Sequence, residues 1–507
     1  MKNIWNIWSI FVLFLILRLV LIVTFPPFTD ESLYIRWGQL MVWNPDFRFA
    51  SILYHSRQPL AFWLFGLGSV AVGNPLVGGR LISLLISITS FFTLFHFMKK
   101  SFDEHTALIS ILLLSISPLA ILFQSLALMD GILFSTTFCI IYVLNEYRIR
   151  EKNLLLLAIG TILGTLLWIK TTALFIILPT LLSMMQISSF ASQKIPVGEP
   201  CSLKRFRSTQ LAKLFFRLAS LLLPIFLVTL PIVLLPNFSK ILSEPGSFSF
   251  TPKELMAFPI GSWIKNITYA LYGMMIYFSP IVFFFGLIGI HRYRKEKSLA
   301  PLYFLGLTIL ISMLLGKIFR IRYALYAVAG IIPFAALLLS QPNSILLFNR
   351  LKYALCIGSS FFISLILILN PRLFFTLFPE KSAITREREY AYGWTAGYGI
   401  KSLIEFIEKT PRSTQKRVVL FTEDSPGNPS DYLLMKYYFD ETMILSPVDI
   451  SLTSLTSLFQ KANGSAVFIV ARSSRIDQAL APYLAPIQTF SENDPHEFLG
   501  LYRLKSP

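Results

Sequence analysis

The chain has 507 residues, of which 54% are hydrophobic and only 14% charged; a soluble protein of this size carries about a quarter charged residues, so a soluble enzyme is excluded. Its net charge of +18 does not point to nucleic acid, because the basic residues fall largely in short loops between apolar runs, where positive-inside topology and anionic headgroups account for them. Cys139, Cys201 and Cys356 show neither metal nor redox spacing, so no disulfide framework is indicated.

The first apolar run, Ile4 to Phe25, is broken only by polar residues near its start and by Arg18. It is long enough to cross a hydrocarbon core of ~30 Å at ~1.5 Å per residue. No small-residue cleavage site follows it, so it reads as a retained anchor. It stops at Pro26-Pro27, and the carboxylates Asp30-Glu31 follow at once. Leu60 to Val72 is too short to span and reads as an interfacial or re-entrant helix.

Further runs of spanning length fall near residues 76–98, 106–124, 131–147, 153–169, 171–187, 214–236, 267–290, 301–316, 323–340 and 352–370. With the first, they predict a polytopic α-helical membrane protein of about eleven spans. Alternating sides collects the basic loops (Lys99-Lys100, Arg148/Arg150/Lys152, Lys194/Lys204/Arg205/Arg207, Arg292/Arg294/Lys295/Lys297 and Arg350/Lys352) on the cytoplasmic side. The first outer loop 26–75, Asp130, the outer loop 237–265 and everything after Pro371 then lie outside the cytoplasm.

After Asn370 the composition becomes mixed. Residues 417–422 and 465–471 read as strands, 401–409 and 430–439 as helices, the second with Ser430 as N-cap. Residues 1–370 are therefore expected to form the membrane domain and 371–507 a small extracytoplasmic α/β domain. The latter carries neither a Gly-rich nucleotide loop nor HExxH, so it is assigned no chemistry.

Chemistry-bearing residues gather on the outer side. Asp30-Glu31 and Asp130 stand at span ends, where an acid is either a helix cap or a functional group. Lys170 separates two spans with almost no loop, and snorkelling is its ordinary alternative. Lys317, Arg320, Arg322 and Tyr323 oppose the positive-inside trend, as an anionic-lipid anchor or as a clamp for a phosphate. The loop segment LYHSRQPL adds His55 and Arg57; no metal site is assigned, and divalent-metal dependence is left open.

The order of these motifs resembles the glycosyltransferase family 39 and protein O-mannosyltransferase-like enzymes, which use polyprenyl-phosphate sugars, a group that includes the aminoarabinose lipid A transferases. The matching positions are Asp30-Glu31, then Arg57-Gln58-Pro59-Leu60, Arg80-Leu81, Asp130, Lys170 and Arg322-Tyr323, across roughly residues 5–340. Gln58 departs from the proline the family often has, and His55-Ser56 from its usual acid. The resemblance implies a GT-C-like fold and a plasma-membrane enzyme that moves a sugar from a lipid-linked donor to a hydroxyl of a protein, lipid or polysaccharide acceptor. It further implies inversion, with Asp30 as general base, and Glu31 and Asp130 orienting acceptor or sugar. Lys170, Lys317, Arg320, Arg322 and Arg57 would hold the donor phosphate, and Tyr323, His55 and Arg80 would position substrate. The competing readings are a flippase of lipid-linked saccharides, which would carry its acids near the bilayer midplane, and a non-catalytic membrane scaffold.

Overall fold

Eighteen residues of apolar sequence, Ile7–Thr24, form the first helix (α1) of the computed structural model, closed at its start by a capping box between Asn6 and Ser9. The structure describes residues 6–191, 203–235, 238–243, 249–317, 319–325, 330–341, 346–378, 387–392, 394–409, 418–424, 427–440, 443–448, 467–476, 478–490 and 499–505. The segment after α1 folds as α2 (Thr29–Trp43), α3 (Ala50–His55) and α4 (Leu60–Ala71). Next come α5 (Pro75–Ser101), α6 (Glu104–Ile116), α7 (Pro118–Ser125), α8 (Met129–Arg150), α9 (Asn153–Leu167), α10 (Leu174–Ala191) and α11 (Leu203–Val233). Two short helices, α12 (Phe238–Ser243) and α13 (Pro252–Met256), lead to α14 (Ile260–Phe278), α15 (Pro280–Arg292), α16 (Ala300–Leu315), α17 (Ile331–Ser340) and α18 (Leu346–Leu369).

Five of these helices are long and apolar enough to cross a membrane, and seven spans result if two bent pairs each count as one. The chain is thus a multi-pass membrane protein, though several expected spans are shorter helices of 10–17 residues. The run 106–124 is not straight but breaks into α6 and α7 at 62°. Pro118 lacks the N–H that a continuous helix needs and crowds the preceding turn. The carbonyls this break leaves open are met by side chains. Arg18, buried in α1, donates to Leu114 O and Ser115 O, both at 3.2 Å. Ser360 and Ser364 of α18 both donate to Ile116 O.

The run 267–290 is likewise two helices, α14 and α15, bent by 113° rather than one straight helix. Ser279, at φ +64°, turns the chain in the left-handed region and caps α15, whose first residue is Pro280. The short helix α4 packs against α2 at backbone contact. A Cβ on Gly38 would stand 2.2 Å from Phe62 O, and one on Gly66 would stand 2.3 Å from Gly38 C. This close approach ties the segment that carries Asp30 to the one that follows Arg57.

Beyond α19 (Pro371–Thr376) and α20 (Ile400–Lys409), a five-stranded sheet is built from β1 (Val418–Glu423), β2 (Met443–Val448), β3 (Val467–Arg472), β4 (Leu484–Phe490) and β5 (Leu499–Leu504). Its order is β2-β1-β3-β5-β4, with β1 parallel to both neighbours and β5 antiparallel to both of its own. The expected strands 417–422 and 465–471 correspond to β1 and β3. The edge strands β2 and β4 contain Pro447 and Pro486, which fit where no full ladder is needed. Alternation along β1 divides its faces. Val419 and Phe421 enter a cluster confined to the sheet region, whereas Leu420 joins the large core shared with the helices. The helix α21 (Ser430–Lys436) starts after Pro429, and Ser430 is not its N-cap: its hydroxyl pairs with Thr422 Oγ1 at 2.6 Å instead.

A methyl group at Gly38 has no room against the backbone of α4. Gly38→Ala is expected to destabilise the protein by about 1–3 kcal/mol, measured as a lowered Tm in detergent; an unchanged Tm would contradict the close packing of α2 on α4.

Candidate functional site

The acid pair after α1 divides into two unlike environments. Glu31, the third residue of α2, points inward and accepts from Phe28 N at 3.1 Å and Ala127 N at 2.8 Å. Arg80, in the second turn of α5, meets it with two parallel bonds of 2.8 and 2.7 Å. The rest of the guanidinium donates to Ile22 O, Phe25 O and Pro26 O at 2.8–2.9 Å. Both side chains are 0% exposed. The pair joins the end of α1, the start of α2, α5 and the turn before α8, and neither carboxylate oxygen is left open to a reactant.

Asp30 faces the other way and keeps 18% exposure. Its Oδ2 accepts from Arg322 Nη1 at 2.7 Å, supplied by a 3-10 turn at Ile321–Ala324. One turn along α2, the Tyr34 hydroxyl accepts from Arg57 at 2.5 Å. Arg57 follows Ser56, whose φ of +50° ends α3. Leu60 N donates to Trp168 O at 3.0 Å, and Gln58 donates to the Thr171 hydroxyl. These bonds bring the Arg57 loop beside Lys170. Lys170 itself stands in extended backbone between α9 and a 3-10 turn and meets Asp130 Oδ1 at 2.6 Å. Asp130 is 4% exposed and lies in the first turn of α8, where the helix dipole favours a carboxylate. The Tyr323 ring lies under Lys170, 4.9 Å from ammonium to centroid, and beside Arg322 at 5.3 Å.

Electrostatics follow this geometry. Burial alone would raise the Asp30 carboxyl, but the charges of Arg322, Arg57 and Arg320, with the Arg322 hydrogen bond, hold it below the usual carboxylate range. Arg57 is held protonated above its ordinary value by Tyr34 and Asp30, against its burial. Its hydrogen bond goes to a neutral hydroxyl, so its charge stays available to an anion. Asp30, Asp130, Tyr34, Arg57, Lys170, Arg322 and Tyr323 thus meet in one cluster, and Arg320 joins it electrostatically.

The other sequence candidates are placed differently. Lys317 engages Glu254 at 2.8 Å, beside the Thr251 capping box. Arg80 serves Glu31. His55 ends α3, and its side chain lies outside the described residues. Among the described residues no group of three or more His, Cys, Asp or Glu is arranged to hold a metal ion.

Sequence reasoning missed Tyr34, although its i+4 spacing from Asp30 puts both on one face of α2. It also missed the segment Glu387–Tyr390 (EREY). Glu389 meets Arg320 at 3.2 Å. Glu387 is buried and accepts from the Tyr277 hydroxyl at 2.5 Å, and burial pushes its carboxyl up. Tyr390 lies against Phe28 with ring centroids 4.5 Å apart. The paired acids of EREY, close after the last apolar run, were the available signal.

Residues 55–198 match the family model described as dolichyl-phosphate-mannose-protein mannosyltransferase. No curated protein matches the chain in sequence. Among solved structures, ArnT from Cupriavidus metallidurans bound to undecaprenyl phosphate is similar over 97% of both chains, at 13% identity and a TM-score of 0.57. The apo state of the same protein gives the same identity, coverage and TM-score. The chain therefore has an ArnT-like fold. The resemblance read from motif order, to the protein O-mannosyltransferase-like group, is present in the family match over residues 55–198.

Two outcomes test this geometry. Arg80→Met leaves the Glu31 charge buried without its partner and is expected to cost about 3–5 kcal/mol, read as loss of monodisperse folded protein. For Asp30, a carboxyl depressed on folding stabilises the protein above its unfolded value near 3.8 and loses that contribution as pH falls through the lower folded value. The Tm difference between wild type and Asp30→Asn should be widest near neutral pH and shrink below about pH 4; a difference independent of pH would contradict the Asp30–Arg322 pair.

Proposed function

We propose that the protein is a membrane glycosyltransferase that moves a sugar from a polyprenyl-phosphate donor to an acceptor hydroxyl on the extracytoplasmic side. The observation that carries this reading is the gathering of one partly exposed carboxylate, Asp30, with four cations, Arg57, Lys170, Arg320 and Arg322, of which Arg57 is hydrogen-bonded to a hydroxyl rather than to a carboxylate. Such a set suits the phosphate of a lipid-linked donor, and Arg57 and Arg322 supply planar donors for its oxygens.

In the reaction, Asp30 takes the proton of the acceptor hydroxyl as that oxygen attacks the anomeric carbon. The bond from that carbon to the phosphate oxygen breaks, and its electron pair leaves with the lipid phosphate. Attack from the side opposite the phosphate inverts the anomeric centre. Arg322 holds Asp30 and Lys170 holds Asp130. An arriving phosphate competes for both cations. Once Arg322 is shared with phosphate, its hold on Asp30 weakens and the carboxylate becomes the stronger base. The base is thereby switched on by the donor. Glu31 and Arg80 position this site, and Asp130 with Tyr323 aligns Lys170.

The ends of two helices support this sidedness. α5 starts near Arg80 and ends at Lys99-Lys100; α8 starts with Asp130 and ends with Arg148 and Arg150. The basic ends belong in the cytoplasm, so the site lies outside it. The shorter helices α9, α10, α16 and α17 complete about eleven passes. An odd number of passes fits a reading in which the residues after Asn370 share the side of the site, as a second domain.

The test supplies purified protein in lipid with radiolabelled polyprenyl-phosphate sugars and an envelope extract as acceptor. Asp30→Asn is expected to lower transfer on the order of 10²–10⁴-fold while still binding undecaprenyl phosphate. Wild-type transfer matched by the variant would remove Asp30 as the base, and no consumption of any donor by wild type would overturn the glycosyltransfer reading.

A further inference from the structure

The turn that carries Asp30 is gripped by residues from the far end of the chain. Asn428 is 1% exposed and spends its hydrogen-bonding groups largely on that turn. Its amide Nδ2 donates to Pro27 O at 2.9 Å and to Thr395 O at 3.3 Å. Its Oδ1 accepts from the Ser32 hydroxyl at 2.8 Å, and its backbone N–H donates to Thr29 Oγ1 at 2.9 Å. Pro27 and Thr29 precede Asp30 and Ser32 follows it, so one side chain and its backbone span the acid on both sides. Phe28, between them, accepts from Glu31 N and Ser32 N and starts α2.

Two glycines let the backbones approach this closely. Gly397, at φ +57°, leaves no room for a Cβ, which would lie 2.3 Å from Pro27 O. Gly427, at φ +96°, would put one 2.5 Å from Thr29 Oγ1. Further along the same face, Arg36 meets Asp431 at 2.5 Å and Gln39 donates to Met435 O at 3.3 Å. α2 is thus fixed by α21 on one side and by Glu31–Arg80 on the other.

We infer that Asn428 is a positioning residue for Asp30, and that the segment Gly427–Met435 completes the catalytic centre rather than standing apart from it. A general base acts only within hydrogen-bond reach of its proton, and a displacement of about 1 Å costs on the order of 10²-fold in rate. Neither Asn428 nor Ser32 is placed to touch the reacting atoms. Their effect passes through the backbone of residues 27–32. This inference rests on the Asp30 reading for its kinetic consequence and on the structure alone for the clamp.

The experiment has two arms, both on the full chain in lipid nanodiscs. Hydrogen exchange by mass spectrometry follows a peptide spanning residues 26–35, with peptides from α8 as reference. Turnover and half-saturation are measured with a radiolabelled polyprenyl-phosphate sugar. Asn428→Ala is expected to speed exchange in 26–35 but not in α8, and to lower kcat by about 10- to 100-fold with half-saturation for donor changed less than about twofold. Ser32→Ala removes the bond to Asn428 Oδ1 from the other side; it should show the same pattern more weakly, and it carries the test if Asn428→Ala does not fold.

Unchanged exchange in 26–35 overturns the clamp. Faster exchange there with unchanged kcat overturns the positioning role, as does faster exchange spread over the whole protein. If wild type consumes no donor, the glycosyltransfer reading fails while the exchange arm still decides whether Asn428 holds the turn.

Discussion

The buried pair of Glu31 and Arg80 is the interaction on which the rest of the site depends. An isolated ion pair without exposure is costly to bury, and it holds only when the remaining donors and acceptors are met. Here they are met by backbone: Phe28 N and Ala127 N on the carboxylate, and the carbonyls of Ile22, Phe25 and Pro26 on the guanidinium. Because these groups belong to four different elements, satisfying the pair also fixes where those elements meet. Asp30 is adjacent in sequence and is turned outward by the same helical geometry that turns Glu31 in.

A second constraint comes from the bilayer, where every backbone polar group must find a partner inside the protein. The break between α6 and α7 violates the helix ladder, and Arg18 repairs it from α1 while also binding Gln124 Oε1 at 3.0 and 2.7 Å. Gln124 in turn donates to Ser90 of α5 and Ser135 of α8. The polar network therefore runs directly beneath the turn from which Ala127 reaches Glu31 and Asp130 reaches Lys170. A cation in the first span, which hydropathy treats as a blemish, has a structural use: it permits the bend that delivers Asp130.

Much of the site was legible because charge is conspicuous at the ends of apolar runs. Asp30, Asp130, Lys170 and Arg322 stand out for that reason, and they meet. Sequence adjacency did not reveal that Glu31 and Asp30 part company, since both lie in the first turn of one helix. Lys317 shares the charge and spacing of Arg320 and Arg322, yet it pairs with Glu254, because partner choice is set in three dimensions. The straight span expected at 267–290 failed at Ser279-Pro280, a turn signal submerged in apolar sequence. The clamp was invisible for a different reason: Asn428, Ser32 and Thr29 are ordinary polar residues, and only their burial and their shared partners distinguish them.

The ion pair between Asp30 and Arg322 joins residues 292 positions apart, and Ser32 and Asn428 are 396 apart. The Glu31–Arg80 pair spans only 49. During synthesis the inner pair can therefore close early, while Asp30 has no Arg322 until most of the helices have been made. Asn428 emerges later still. A partly made chain carries the acid with Arg57 and Lys170 but without Arg320, Arg322 or the clamp, so the cluster is complete only after Asn428 has been made.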